Sequence, residues 1–378
     1  MARENELIVK LVTEFAEKYV EPRAQEIDET EEFPTDIKDL MGKFGIFAIP
    51  FPREVGGAGG TDTDYVDTVR ILANHCGTSS VIVSAHVSLC CWPIFNFGTK
   101  AQKEKYLPDL LSGKKLGAFG LTEPMAGTDS AAQQTKAIDK GDYYEITGSK
   151  IFITNAEEAD VYVIFAMTDP ELGTRGISAF IMEKGMEGFS FGPAEKKMGI
   201  RGSATKELVF DKVKVPKENM LGRANQGFRI AMQTLDGGRI GIAAQALGLA
   251  EGAFNRTVEY VKQRKQFGRP IAQFQNTQFK IAEMATQLEA ARLLVYKAAK
   301  AKETQKVYTQ EAAMAKLYAS KVAVEITNMA IQLHGGYGYI RDYAVERLAR
   351  DAKITEIYEG TSEVQKMVIG GGILRWKY

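Results

Sequence analysis

The last proline of this chain is Pro270, and the long stretch that follows it has helical periodicity over most of its length. Residues 278–303 and 309–335 are rich in alanine and repeat apolar residues at intervals of three and four. A proline-free pattern of this length is typical of long helices packed side by side, because proline would interrupt their backbone hydrogen bonds. The last part of the chain is therefore predicted to be a bundle of long antiparallel helices.

Two further parts precede this bundle. Residues 1–120 contain apolar residues at helical spacing, in segments that mostly end at glycine or proline. Residues 121–225 instead contain short β-branched and aromatic segments separated by Gly, Asp and Pro turns. No long helical pattern interrupts them, which favours an antiparallel sheet or barrel-like unit over a parallel βαβ array. The predicted order is a helical domain, a β domain and, over 226–378, a helical domain.

The composition indicates a soluble enzyme of ordinary type. Hydrophobic residues make up 45% and charged residues 25% of the 378 residues. Lysine plus arginine and aspartate plus glutamate both number 48, so no basic surface for nucleic acid is expected. No apolar run is judged to approach the ~20 residues of a membrane span. The acid-containing amphipathic start is unlike a signal or transit peptide.

The cysteines predict a reducing compartment and no metal site. Only Cys76, Cys90 and Cys91 are present, too few for a disulfide framework, so the expected location is the cytoplasm. His86 and Cys90 lie four residues apart, but further ligands are lacking. Buried cysteines in an apolar helix are the favoured interpretation.

Four segments have the composition of ligand-binding loops, although each also has an ordinary structural explanation. FGLTEPMAGTD could offer backbone N–H groups to a flat heteroaromatic ring or a phosphate, or be a simple turn. KIFITN could flank a ligand or be a core strand. QRKQFGRP could pair arginines with a phosphate or compensate a helix dipole. QLHGGYGY could allow close backbone approach or cap a helix. The segments cover 119–129, 150–155, 263–270 and 332–339.

The segment EIYEGTSEVQ, Glu356–Gln365, raises a separate question. Thr361 or Ser362 can cap a following helix, and Glu363 suits the positive end of its dipole. Capping does not explain Glu359, an acid placed directly before Gly360. Neither a G-x-G-x-x-G following a predicted strand nor a G-x-x-x-x-G-K-[ST] motif is present, which disfavours a Rossmann nicotinamide enzyme and a P-loop ATPase.

These segments, together with GSATKELVFDKVKVPKENMLG and LDGGRIGIAAQALG, occur in the order typical of the acyl-CoA dehydrogenases. The chain resembles that family over essentially its whole length. SAHVSLC and LDGGRIGIAAQALG are most similar to bacterial short-chain, butyryl-CoA-type members. The resemblance implies a mainly α fold with an N-terminal helical domain, a middle antiparallel β domain and a C-terminal four-helix bundle. It also implies FAD, a homotetramer built as a dimer of dimers, a short-chain acyl-CoA substrate and an electron-transferring flavoprotein partner.

The resemblance assigns roles residue by residue. Glu359 matches the catalytic base that removes an α-proton while a hydride leaves the β-carbon. Substrate-binding roles fall on Thr128, Asp236, Arg239, Tyr358 and Gly360. Cofactor-binding roles fall on Phe119, Leu121, Thr122, Thr128, Phe152, Ile153, Thr154, Arg264, Gln266, Phe267, Gln275, Gln332, Gly335, Gly336, Thr361 and Glu363.

Three positions depart from the pattern of some members. Met125 stands where many have glycine, and Phe152 replaces a tryptophan common in mammalian relatives. Gly238 stands where some relatives carry the base, immediately before Arg239. Glycine cannot act as a base, which favours Glu359.

Three alternatives to acyl-CoA oxidation remain open. The same chemistry can run in reverse, as enoyl-CoA reduction in a fermentative or electron-bifurcating complex with an electron-transferring flavoprotein. An acyl-CoA oxidase is disfavoured because those chains are usually longer. A helical interaction module without catalysis would leave Glu359 and the polar loop at 119–129 unexplained.

Overall fold

The computed structural model describes residues 2–375 and has the predicted order of helices, sheet and helices. The first part is helical because apolar residues recur at three and four, and two of its helices begin with capping boxes at Thr61 and Thr99. Its helices are α1 (Ala2–Phe15), α2 (Ala24–Thr30), α3 (Thr35–Lys43), α4 (Asp62–His75), α5 (Gly77–Ser84), α6 (Trp92–Phe97) and α7 (Lys100–Leu111).

A continuous helical segment spans Gly77–Phe97. It joins α5 to α6 through a wider π-helical stretch, Ala85–Cys91. By length and composition this segment is apolar enough to cross a membrane, so the expectation that no run approaches that length is wrong. Serines interrupt its run of apolar residues but lower the mean hydropathy of the segment only slightly. In this fold, 78% of its most apolar window is buried inside the protein, as in a core helix.

The middle part is a mixed sheet in which most strand pairs are antiparallel. Its strands follow the order β6-β7-β3-β2-β4-β5-β8, and β1 and β2 pair in parallel with β4. The strands are β1 (Gly117–Gly120), β2 (Lys136–Asp139), β3 (Tyr143–Thr154), β4 (Val161–Met167), β5 (Ile177–Glu183), β6 (Phe189–Ala194), β7 (Thr205–Pro216) and β8 (Met220–Leu221).

The sheet has a hydrophobic core on each face. Along β4, Val163 and Phe165 pack with the helices, whereas Tyr162 and Ile164 pack in a second core formed within the β domain. Alternate residues of a strand point to opposite faces, so a strand buried on both sides is apolar throughout. The sheet is thereby fixed firmly against the helices.

The last part is the predicted bundle of long helices. Its helices are α8 (Gly227–Gln263), α9 (Gln275–Thr304), α10 (Thr309–His334), α11 (Val345–Lys353) and α12 (Ser362–Arg375), with a hairpin of β9 (Lys265–Gln266) and β10 (Arg269–Pro270). Helix α10 packs against α8, α9, α11 and α12. Half of its buried residues are alanine, which allows the helices to approach closely. The α–β–α architecture expected from the sequence is confirmed.

Candidate active site

The turn between α11 and α12 carries Glu359 in an unusual backbone conformation. Glu359 has φ 53° and Gly360 has φ 92°, so two consecutive residues adopt the left-handed region. This region is costly for a residue with a side chain and is frequently seen at functional sites. Thr361 Oγ1 accepts a hydrogen bond of 3.3 Å from the Val364 N–H, so Thr361 caps α12. The capping interpretation therefore holds for Thr361 and leaves Glu359 to be explained.

The Glu359 carboxylate is aimed at α8. Its Oε2 atom is buried and has no hydrogen-bond partner among the described residues. A Cβ atom added at Gly238 would lie 1.9 Å from this oxygen and 2.8 Å from Leu89 Cδ2. The absence of a side chain at Gly238 therefore makes room for the carboxylate. A buried acceptor without a donor is costly for the fold, which points to a functional requirement.

Burial raises the pKa of Glu359 to about 8, and the positive charges of Lys316 and Arg239 counteract part of this rise. Loss of hydration disfavours the charged form of any carboxyl group. A carboxyl group with a pKa near neutrality can take up and release a proton at physiological pH, which suits general acid–base chemistry.

The Glu359 turn is held from behind by two buried side chains. Lys316 Nζ on α10 donates a hydrogen bond of 2.7 Å to the Gly360 carbonyl. Gln365 Nε2 on α12 donates to the same carbonyl at 2.9 Å and to the Glu359 carbonyl at 3.3 Å. These contacts fix the direction in which the turn presents Glu359.

Asp236 and Arg239, predicted to bind substrate, form an ion pair close to this carboxylate. Arg239 Nη1 donates to Asp236 Oδ1 at 2.7 Å, and Thr309 Oγ1 donates to Asp236 Oδ2 at 2.6 Å. Arg239 is buried, and its Nε atom has no acceptor among residues 2–375. Burial raises the pKa of Asp236, which Thr309 and Arg239 oppose. The Nε–H group of Arg239 therefore remains able to donate a hydrogen bond beside Gly238.

One stripe of α8 continues from Gly238 through Gly241 to Gln245. These positions share a helix face because they are three and seven residues apart. A Cβ atom at Gly241 would lie 2.5 Å from both Tyr65 OH and Ser84 Oγ. The buried Gln245 accepts a hydrogen bond from Tyr358 OH and donates one of 3.1 Å to the Gly77 carbonyl. Tyr358, a predicted substrate residue, thus adjoins the end of the stripe.

A second group of predicted residues lies at the edge of the sheet. Lys150 on β3 anchors the loop 121–135: its buried Nζ donates to Leu121 O at 3.1 Å, Glu123 Oε1 at 2.7 Å and Gln133 Oε1 at 2.8 Å. Burial lowers the pKa of Lys150 to about 8, although Glu123 opposes this. Thr122 O accepts the Ile151 N–H at 2.9 Å, and Thr128 is exposed. Sequence reasoning missed this anchor.

The side chains of this group do not all face the same way. The pairing of β3 with β7 is irregular between Lys150 and Ile153, and Phe152 has φ 60° and is 62% exposed. A bulge of this kind re-aims a side chain. Ile153 is buried in the second core, so its side chain points away from Phe152 and only its backbone can serve a ligand there. Phe119 and Leu121 pack against the helical core, and Thr154 is half-buried.

A third group meets in a cleft of about 460 Å³ between the end of α8 and the end of α10. The segments 263–270 and 332–339, far apart in sequence, both line it. The Arg264 guanidinium lies 5.2 Å from the centre of the Tyr337 ring. Phe267 and Gln275 are exposed and do not line the cleft. The predicted residues that do line it are Arg264, Gln266, Gln332, Gly335 and Gly336.

The remaining predicted cofactor residues, Thr361 and Glu363, lie at the start of α12. Sequence reasoning missed Lys316, Gln365, Gln245 and Leu89. For Lys316 a signal existed, since it falls on the same stripe as Ala312, Ala319 and Ala323, where a charge is out of place. His86 Nδ1 accepts the Gly117 N–H at 2.9 Å, and all three cysteines are buried, as the sequence predicted.

Comparison with known proteins matches this architecture along the chain. Residues 2–114, 118–213 and 225–374 match the models of the acyl-CoA dehydrogenase N-terminal, middle and C-terminal domains. A short-chain specific acyl-CoA dehydrogenase of Clostridium acetobutylicum is 59% identical, over 99% of this chain and 99% of its own.

Two further relatives are similarly close. A subunit of the caffeyl-CoA reductase–Etf complex of Acetobacterium woodii is 50% identical over 99% of both chains. The solved structure of butyryl-CoA dehydrogenase from Megasphaera elsdenii has a TM-score of 0.97 and 52% identity, covering 98% of each chain.

Proposed function

The chain belongs to the acyl-CoA dehydrogenase family, and we propose that it catalyses the FAD-dependent α,β-dehydrogenation of a short-chain acyl-CoA, butyryl-CoA to crotonyl-CoA. The observation that carries this proposal is the Glu359 carboxylate facing Gly238, whose buried Oε2 atom has no hydrogen-bond partner among the described residues. An acid held without a donor is available to a C–H bond placed beside it.

The residues around the sheet edge and the cleft fit the FAD on which the family depends. The exposed Phe152 and the polar loop held by Lys150 suit a flat ring, and Arg264 in the cleft suits a phosphate. FAD, when bound, would accept the hydride that leaves the β-carbon. The proton transfer and the positioning of the substrate would fall to side chains and backbone groups of the protein.

Glu359 would remove the α-proton of the thioester. A carboxylate is a weak base toward carbon, so the enolate oxygen must be stabilised as it develops. We propose the backbone N–H of Glu359 as this donor, because it belongs to the same turn as the carboxylate. The buried surroundings exclude water and keep the pKa of Glu359 high enough for proton transfer.

The stripe on α8 supports a short acyl chain. We place the acyl group along this stripe, where Glu359 and Leu89 pack against Gly238, and Tyr65 and Ser84 pack against Gly241, so that little room is left for a longer chain. Gln245, fixed between Tyr358 and the Gly77 carbonyl, would close the far end. The ion pair of Asp236 and Arg239 would lie on the coenzyme A side.

The experiment that tests the base is the change of Glu359 to glutamine. Glutamine keeps the shape but cannot accept the proton, so flavin reduction by butyryl-CoA should slow at least ~10²-fold with FAD still bound. Anaerobic stopped-flow absorbance measures the rate, and the flavin spectrum measures cofactor content. A variant that retains more than a tenth of the rate would exclude Glu359 as the base.

Reduction of an enoyl-CoA is the second candidate, favoured by the relative named as part of a caffeyl-CoA reductase–Etf complex. The same groups would act in reverse, with Glu359 protonating the α-carbon. Either direction requires a partner for electron exchange, and we propose an electron-transferring flavoprotein. Rates of butyryl-CoA oxidation and crotonyl-CoA reduction with such a flavoprotein separate the two.

We also propose a cytoplasmic homotetramer. The buried free cysteines suit a reducing compartment. Phe267 is 94% exposed at the tip of the β9–β10 hairpin, next to the Arg264 cleft, and a second copy of the chain would cover it. Light scattering of the purified protein tests the assembly.

A further inference from the structure

Lys316 is a fully buried lysine on the alanine-rich face of α10. Burying an ammonium group costs several kcal/mol unless partners compensate it. The fold does not need the charge there, since the surrounding positions of the stripe are alanine. Its hydrogen bond goes to the carbonyl of Gly360, which lies 44 residues further along the chain in the turn that carries Glu359.

The Gly360 carbonyl receives two donors of different kinds. Lys316 brings a positive charge, whereas Gln365 brings a neutral amide, and both side chains are fully buried. The two left-handed residues of the turn require such contacts, because this conformation persists only where the surroundings fix it. Comparing variants of Lys316 and Gln365 therefore separates the effect of the charge from that of the hydrogen bond.

Lys316 differs from the other charged and titratable groups around Glu359 in its pairing. From α8 comes Arg239, which Asp236 already pairs at 2.7 Å. Tyr65 on α4 and Tyr358 beside Glu359 are buried hydroxyls, whose pKa values burial raises. Glu356 is paired with Lys353 at 2.6 Å, and the exposed Glu363 lies at the start of α12. Among the residues described, no carboxylate pairs with Lys316 within ion-pair distance, which leaves its charge acting on Glu359.

We propose that Lys316 is a positioning residue for the base: it holds the turn that presents Glu359 to α8, and its charge favours the carboxylate form of Glu359. The inference rests on the proposed function, in which Glu359 is that base. Burial lowers the pKa of Lys316 to about 8, and Glu359 acts in the opposite sense, so the two groups stabilise each other's charged form.

The test compares Lys316→Met, Lys316→Arg and Gln365→Met. Methionine at 316 removes the charge and one hydrogen bond, methionine at 365 removes only hydrogen bonds, and arginine keeps the charge. The rate of flavin reduction by butyryl-CoA is measured in a single turnover from pH 6 to 10. Infrared difference spectra over the same range follow the protonated carboxyl band that Glu359→Gln lacks, which reports the ionisation of Glu359 itself.

Loss of the nearby positive charge should raise the pKa of Glu359, because an opposite charge shifts a carboxylate pKa down by roughly 1–3 units. In Lys316→Met, we expect the pH midpoint of the flavin-reduction rate and that of the protonated carboxyl band to rise by about one pH unit or more. Gln365→Met should react more slowly with an unmoved midpoint, and Lys316→Arg should keep the midpoint of the unaltered protein. If Lys316→Met does not fold, the uncharged Lys316→Gln is measured in its place.

Equal midpoints in Lys316→Met and Gln365→Met would overturn the proposal. Glu359→Gln, measured alongside, separates this failure from failure of the proposed function. If Glu359→Gln is inactive while the Lys316→Met midpoint is unmoved, only the role of Lys316 is wrong. If Glu359→Gln remains active, Glu359 is not the base, and the role of Lys316 fails with it.

Discussion

Gly238→Ala should separate catalysis from stability. The Cβ atom of alanine would lie 1.9 Å from Glu359 Oε2, whereas carbon–oxygen contacts below 3.0 Å are essentially never seen. The carboxylate must therefore move by more than an ångström. Because this oxygen has no hydrogen-bond partner among the described residues, its displacement breaks no such bond. The fold itself should lose little.

The catalytic cost of that displacement follows from geometry. Misplacement of a reacting group by about 1 Å costs ~10²-fold in rate. Replacing glycine with alanine inside a helix contributes up to about 1 kcal/mol of stability, which offsets strain from the contact of 2.8 Å with Leu89. We expect flavin reduction by butyryl-CoA to fall ~10²-fold while the thermal midpoint changes by only a few degrees.

Gly237→Ala is the matched control. Its Cβ atom would lie 3.6 Å from Lys302 Nζ and 3.8 Å from Tyr308 OH, both ordinary contacts. It gains the same helix propensity without touching Glu359. Stopped-flow absorbance gives the rate, and thermal unfolding gives the stability. If Gly238→Ala reduces the flavin within threefold of Gly237→Ala, Glu359 does not act from its position against Gly238, and our account of the site is refuted.

Three further predictions concern pH, the loop anchor and the acyl pocket. With the pKa of Glu359 at about 8, kcat/KM for acyl-CoA oxidation should rise with pH through about 8, because oxidation needs the carboxylate. The kcat/KM for enoyl-CoA reduction should fall over the same range, because reduction needs the protonated acid. Profiles of the same direction for the two reactions would contradict this. Lys150→Met leaves Glu123 buried without its cation, so urea denaturation should show a loss of roughly 3–5 kcal/mol, and a loss below 1 kcal/mol would contradict the anchor. Gln245→Ala should raise kcat/KM for hexanoyl-CoA relative to butyryl-CoA about tenfold, and an unchanged ratio would mean that Gln245 does not close the pocket.

The architecture could be predicted because it depends on local patterns. Apolar spacing of three and four, β-branched segments between turns, and the proline-free end of the chain each report on nearby residues only. The membrane-length helix Gly77–Phe97 was misjudged because serines interrupt its apolar run although its mean hydropathy is high, and only packing shows that most of it is buried. The parallel pairing of β1 and β2 with β4 was not predicted either, because strand partners are distant in sequence.

For the site, the sequence by itself determined which acid lacked a structural purpose. A capping residue, Thr361 or Ser362, was recognisable from its spacing, and Glu359 remained unexplained beside it. Tertiary structure alone decided what surrounds that acid: Gly238 from α8 makes its space, Lys316 from α10 supplies a charge, and Gln365 holds its backbone. The physical reason is that desolvation and Coulomb interactions depend on distance in space, so a pKa near 8 arises only once helices distant in sequence pack around the carboxylate.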